Sequence, residues 1–207
     1  MTYLIVISTL FVLGSIFGYV LELFFRRFVS QKKWMNPGFL TGPYLPIYGF
    51  GVVVLYAISN VPLGITSQAW DIIVRILIIG VGMTLVEFVA GLIFIKGMGI
   101  KLWDYSNRKG NIMGIICPIF SLAWLAVGCL YYFLLNPVLV EGITWLGDNL
   151  IYTYFVGIVI GMILVDLAYS IHLATKLKEF KEAHSMRYED FRKMLRNRLK
   201  NNKQKTE

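Results

Sequence analysis

Charge is scarce in this chain. Only 15% of its 207 residues are Asp, Glu, Lys or Arg, against about 25% in a soluble domain, and that shortage excludes an ordinary soluble enzyme. Two cysteines are too few for a disulfide-stapled secreted module, and the lack of a long polar tract excludes disorder over most of the chain. No G-x-x-x-x-G-K-[ST] phosphate loop, no G-x-S-x-G nucleophile turn, no His-rich metal set and no aspartate-rich pair occurs, so no ATPase or hydrolase signature is present. His172 and His184 lack a companion at metal-ligand spacing, and neither a metal nor a cofactor is expected.

What is abundant is apolar surface: 57% of residues are hydrophobic and the mean hydropathy is +0.66. The apolar residues gather into five stretches, at about 3–26, 39–60, 71–96, 112–135 and 149–174. Each is long enough to cross roughly 30 Å of hydrocarbon at about 1.5 Å per helical residue. The expected fold class is therefore an all-α polytopic membrane protein with five transmembrane helices, residues 1–175 forming the bundle. The first stretch has no positive segment before it and is too long for a signal-peptide core, so it reads as an uncleaved anchor. Cys117 and Cys129 are expected on one helix, about 18 Å apart along its axis and so too far for a bridge.

The net charge of +8 is explained by placement. The first loop carries Arg26, Arg27, Lys32 and Lys33 and the third Lys96, Lys101, Arg108 and Lys109, while the tail after the fifth helix carries eleven basic residues. The second and fourth loops have none, and only Arg75 breaks the pattern. Positive loops stay in the cytoplasm, which puts the N-terminus outside, the C-terminus inside, and the protein in a cell membrane it crosses several times. Trp34 and Trp103 then flank helices on the inner side and Trp70 and Trp145 on the outer, as aromatic belts do. In the tail, Phe180, His184, Phe191, Leu195 and Leu199 recur at helical spacing among basic residues. Residues 176–200 thus read as a basic amphipathic helix on an anionic inner leaflet, with 201–207 disordered. Adjacency to a membrane span argues against nucleic acid as the partner.

The second and fourth helices begin alike. Gly38-Phe-Leu-Thr-Gly42-Pro-Tyr-Leu-Pro46-Ile-Tyr48 aligns without gaps on Gly110-Asn-Ile-Met-Gly114-Ile-Ile-Cys-Pro118-Ile-Phe120. The helices before them each carry one acid, Glu22 and Glu87, and Gly82-Met-Thr-Leu-Val-Glu87 returns in the fifth helix as Gly161-Met-Ile-Leu-Val-Asp166. These matches predict two parallel hairpin repeats, at about 10–60 and 75–135, plus a fifth helix that copies half of the unit.

Glu22, Glu87 and Asp166 are the acids clearly inside the expected spans. A mid-helix acid costs roughly 2.5–3.5 kcal/mol on insertion scales, so it should face protein or water and have a task. Gly14, Gly18 and Glu22 share one helical face, a small-residue seam ending in a carboxylate. Glu87 shares a face with Gly91, and Asp166 with Ser170. The expectation is that these faces meet and bring the three carboxylates together; the alternative is that each pairs with a cation such as Arg26, Arg27 or Lys101 and only ties helices together. Pro46 and Pro118 would kink their helices and free the carbonyls of Gly42 and Gly114, which in lipid need protein, water or a ligand. Carbonyls and carboxylates together would suit a cation, an ammonium or a proton path; two simple kinks are the other reading. Asn36, Tyr44, Trp103, Asp104, Tyr105 and Asn111 complete the candidate set as walls of a cytoplasmic mouth, although Trp and Tyr suit this interface and Asp and Asn favour turns in any case.

At these residues the chain resembles a known family. Gly38-Phe-Leu-Thr-Gly-Pro-Tyr-Leu-Pro-Ile-Tyr-Gly-Phe-Gly51, Trp103-Asp-Tyr-Ser106 and Asn111-x-x-Gly114-x-Ile-Cys117 are similar to the signatures of the bacterial putative ABC-transporter type IV (CmpB-type) membrane proteins. Vertebrate transmembrane protein 229 looks similar too. The resemblance covers roughly residues 10–130 and implies a polytopic protein named as a permease, with no known substrate or catalytic residues to carry over. Any ATPase would be a separate subunit.

Transport is the leading expectation: a permease-like subunit with a cytoplasm-facing cavity, completed by a homo-oligomer or an ATPase partner. A membrane-embedded enzyme acting on a lipid or isoprenoid head group through Asp104, Tyr105 or the carboxylates, and a non-catalytic scaffold or regulator, are the alternatives.

Overall fold

A computed structural model describes residues 3–30, 32–100 and 102–176. The expected basic helix and disordered tail lie outside these residues, as does Lys101. Regular structure among the described residues is helical, the one β-type contact being an isolated bridge between Ile112 and Ile116. The elements are α1 (Tyr3–Phe25), α2 (Pro46–Asn60), α3 (Gln68–Gly91), α4 (Pro118–Leu130), α5 (Asn136–Asp148) and α6 (Leu150–Lys176). Helix α1 runs on into a π-helical turn at Arg26–Ser30, and α3 into another at Leu92–Gly97. A third, Tyr131–Leu135, joins α4 to α5 as one rod, Pro118–Asp148.

Four of these stretches are long and apolar enough to cross a membrane: Tyr3–Val29, Gln68–Gly97, Pro118–Asp148 and Leu150–Lys176, with 27, 30, 31 and 27 residues. Two expected boundaries are corrected. The second helix begins at Pro46 instead of 39 and has 15 residues, which rise about 22 Å and fall short of the roughly 30 Å hydrocarbon core. The fourth begins at Pro118 instead of 112 and continues through the expected loop to Asp148.

Both corrections come from proline. At the first turn of a helix proline's missing N–H is not needed and its fixed φ is already helical, so Pro46 and Pro118 start their helices instead of kinking them. Cys117 is accordingly the residue before α4, not a member of it, and both cysteines are free thiols. Pro137 would clash with a carbonyl inside an α-helix, but here the wider turn before it takes up the strain, with Asn136 N–H donating to the Tyr131 carbonyl five residues back.

The chain divides into two compact units, residues 1–164 and 165–207. Within the first, α1 packs on α2, α2 on α3 and α3 on α4. Glycines set the close approaches. A Cβ at Gly14 would lie 2.8 Å from Val52 Cβ, and one at Gly18 would run into the Tyr48 side chain. On the next pair, Gly80 faces Leu125 of α4 and Gly128 faces Ile79 of α3. Leu55, Ile79, Met83 and Tyr131 form the buried centre, while Phe17, Leu21, Leu77, Leu85 and Leu122 point outward and exposed. Large apolar side chains on the outside of a packed bundle are what a lipid solvent permits.

Arg75, the residue outside the charge pattern, is 6% exposed. Its Nε and Nη2 donate to the Asp71 carboxylate at 3.0–3.1 Å. Its Nη1 donates to the carbonyls of Ile58 and Val61 at the end of α2. A neutralised guanidinium thus closes carbonyls that a helix end leaves without partners.

Candidate functional site

The ends of α1 and α3 carry two carboxylates, whose partners include side chains of α2 and α4. Glu22 stands four residues before the π-helical turn of α1, and Glu87 five residues before that of α3. Glu22 Oε1 pairs with Arg26 Nε at 3.0 Å, and both side chains are about one-fifth exposed. Glu22 Oε2 accepts from the Tyr48 hydroxyl of α2 at 2.7 Å. The Gly14–Gly18–Glu22 face therefore packs on α2, and it lets the Tyr48 ring lie close enough to reach the acid.

Glu87 is 7% exposed and held differently. Its Oε1 accepts from the Tyr105 hydroxyl and its Oε2 from Trp124 Nε1, both at 3.0 Å. No ion pair reaches it among the described residues. Tyr105 arrives on the loop between α3 and α4 and stacks on Phe120 of α4, with centroids 4.3 Å apart and planes 13° from parallel. Burial and the Glu87 carboxylate push the Tyr105 phenol above its ordinary pKa, and Glu22 adds to the shift. The phenol stays a donor, and it feels both carboxylates.

The loop that delivers Tyr105 is folded back on itself. Trp103 Nε1 donates to the Ile115 carbonyl at 2.9 Å, and Tyr105 N–H donates to the Gly114 carbonyl at 2.8 Å. Asn111 donates to the carbonyls of Ser106 and Arg108 and accepts from Gly114 N–H. Gly114 has φ +70°, and a Cβ there would crowd Ser106 Oγ and Asp104 Oδ1, so glycine is required on both counts. Asp104 accepts from the N–H and hydroxyl of Ser106, an Asx-type turn.

On the other loop, Asn36 donates to the carbonyls of Leu40 and Thr41 and accepts from Gly38 N–H. The Gly42 carbonyl accepts from Tyr44 N–H at 2.9 Å. Tyr44 is buried, with its hydroxyl 3.5 Å from the Met162 carbonyl. The carbonyls of Gly42 and Gly114 therefore precede their helices and accept loop N–H groups; they are not carbonyls freed by a kink. Asp166 lies in the second unit, where Ser170 Oγ, four residues on, donates to it at 3.1 Å. A shallow groove is lined by Thr153, Tyr154, Gly157 and Ile158, none of them a predicted site residue.

Tyr48 and Trp124 are the site residues that the sequence did not offer. The alignment of the two helix starts held a signal for the first: Tyr48 falls opposite Phe120, so one hairpin has a hydroxyl where the other has none.

The family model described as "Putative ABC-transporter type IV" matches residues 9–171. The chain belongs to that family. The match extends past the motifs of residues 10–130 and takes in α6 with Asp166. No curated protein and no solved structure matches the chain, and the likeness to vertebrate transmembrane protein 229 is not shown. Family and helices together describe a multi-pass membrane protein of a transporter class.

Proposed function

We propose that this chain is the membrane-embedded subunit of a transporter for a cation, a protonated amine or a proton, with Glu87 as its working carboxylate. In this reading the chain crosses the bilayer five times, α2 included. The N-terminus is outside and the C-terminus inside, and two parallel hairpins are followed by half of a third. The uneven distribution of Lys and Arg over the loops supports the orientation. The π-helical turns that follow Glu22 and Glu87 at nearly the same distance support the repeat.

The observation that carries the proposal is the neutral shell of Glu87. A buried carboxylate is normally balanced by a cation or protonated. Here two neutral donors orient it, which leaves its charge to be met by what passes. Tyr105 belongs to a loop that Trp103, Asn111 and Gly114 hold in place, so movement of that loop would open or close access to Glu87. Asn36, Tyr44 and Asp104 would line the mouth. Energy would come from a separate ATPase subunit or from an ion gradient acting on a homo-oligomer, at the bacterial plasma membrane.

The test is purification with native partners followed by reconstitution. An associated ATPase or second membrane subunit, or ion or amine uptake that Glu87→Gln abolishes, is the expected result. Neither association nor uptake would overturn the reading.

A further inference from the structure

Arg26 and Arg27 are neighbours at the end of α1 with opposite fates. Arg26 is neutralised by Glu22. Arg27 has no acid partner among the described residues: its Nη1 donates to the Lys32 carbonyl at 2.8 Å, and its Nε is buried with no hydrogen-bond partner among them. Its guanidinium carbon instead sits 5.7 Å from the centroids of both Phe28 and Trp34. Trp34 stands edge-on to Phe24 and Phe28 at 5.9 and 6.3 Å, and Phe24 stacks on Phe28 at 6.1 Å.

The backbone prepares this arrangement. Lys32 takes a left-handed φ of +56° and its N–H closes on the Arg26 carbonyl, six residues back, at 3.0 Å, just past the π-helical turn. That turn aims the Lys32 carbonyl at Arg27 and brings Trp34 back against the helix. The aromatic rings face outward, with Phe24 48%, Phe28 66% and Trp34 58% exposed, and Lys32 and Lys33 are exposed beside them.

We infer that this clamp is a binding site for the phosphate of an anionic phospholipid. A guanidinium held by two rings keeps its charge, and with Nε buried and one Nη1 hydrogen on the Lys32 carbonyl its Nη2 and second Nη1 hydrogen are what a phosphate would meet. Lys32 and Lys33 add positive charge where a lipid head group lies, at the end of a 27-residue apolar rod. Phe24 and Phe28 offer the acyl chains an apolar wall below. A soluble anion would use the charges but gain nothing from that wall; a lipid uses both. The inference rests on the membrane placement of α1 and is independent of transport, so it survives or fails without Glu87.

The experiment is native mass spectrometry of the purified protein after exposure to vesicles of phosphatidylglycerol or of phosphatidylcholine. The expected result is several-fold greater retention of phosphatidylglycerol by the wild type. Arg27→Gln should remove the preference, and Arg27→Lys should restore only part of it. Trp34→Leu leaves every charge in place and should also lower retention, which keeps the test open if Arg27→Gln does not fold. Equal retention by wild type and folded variants would overturn the inference. So would thermal protection by inorganic phosphate equal to that by phosphatidylglycerol, because the site would then be one for a soluble anion.

Discussion

Glu22 and Glu87 occupy comparable places in successive helical hairpins and are held in different ways. In the first hairpin the α2 tyrosine, Tyr48, gives its hydroxyl to the acid, and Arg26 supplies a positive charge. In the second, the aligned residue Phe120 has no hydroxyl. Tyr105 comes in from the loop, lies flat on Phe120 and supplies the hydroxyl from there, while Trp124 takes the place of the cation. The first acid is thus half of a partly exposed ion pair, and the second is a buried carboxyl group among neutral donors. Among the described residues the second has no cation beside it, and under the proposed function a transported cation would take that place.

The largest effect should come from the acids themselves. Glu87→Gln should abolish uptake in proteoliposomes, whereas Glu22→Gln should lower it about fivefold or less, the loss of a partly exposed ion pair being worth about 0.2–1 kcal/mol. Equal effects would erase the distinction. Next comes packing: Gly18→Leu must displace Tyr48 and should cost about 1–3 kcal/mol in detergent denaturation. Gly142→Ala, at a glycine with nothing within 4 Å, should be neutral or slightly stabilising.

Arg26→Gln would give Glu22 a neutral shell like that of Glu87. Because the pair is partly exposed, its loss should cost only about 0.2–1 kcal/mol, read by thermal unfolding. A much larger cost would mean that the first hairpin depends on its cation. The smallest effect is alkaline. The folded-state pKa of Tyr105 is raised, so its contribution is complete below the unfolded value of about 10 and is lost as pH climbs from there through the folded value. Tyr105→Phe should remove that decline from a plot of melting temperature against pH.

The apolar rods were legible in the sequence because hydrophobic length is a property of single segments; α1, α3 and α6 lie within a few residues of their expected bounds. Pro46 and Pro118 were misread because a proline inside a kinked helix and a proline starting one look alike until the preceding residues are placed. The acids were legible as residues out of keeping with lipid. Their partners were not, because Tyr48 and Trp124 depend on how α2 and α4 slide along their neighbours, and Tyr105 depends on a loop folded through Asn111 and Gly114. Arg75 looked like an exception to the charge pattern, but its pairing with Asp71 cancels its charge.

The shortness of α2 has a mechanical consequence. In the proposed five-span reading its 15 residues leave roughly 8 Å of hydrocarbon uncovered, and the stretch before it, residues 38–45, is non-helical backbone in which Leu45 N–H bonds inward to the Ser15 carbonyl. A bilayer meeting such a face is expected to thin locally, at a cost of a fraction of a kcal/mol per Å. The dimple would bring water toward the depth of Glu22 and Tyr48, so that the membrane itself, deformed by one abbreviated helix, shortens the path from the aqueous phase to the carboxylates.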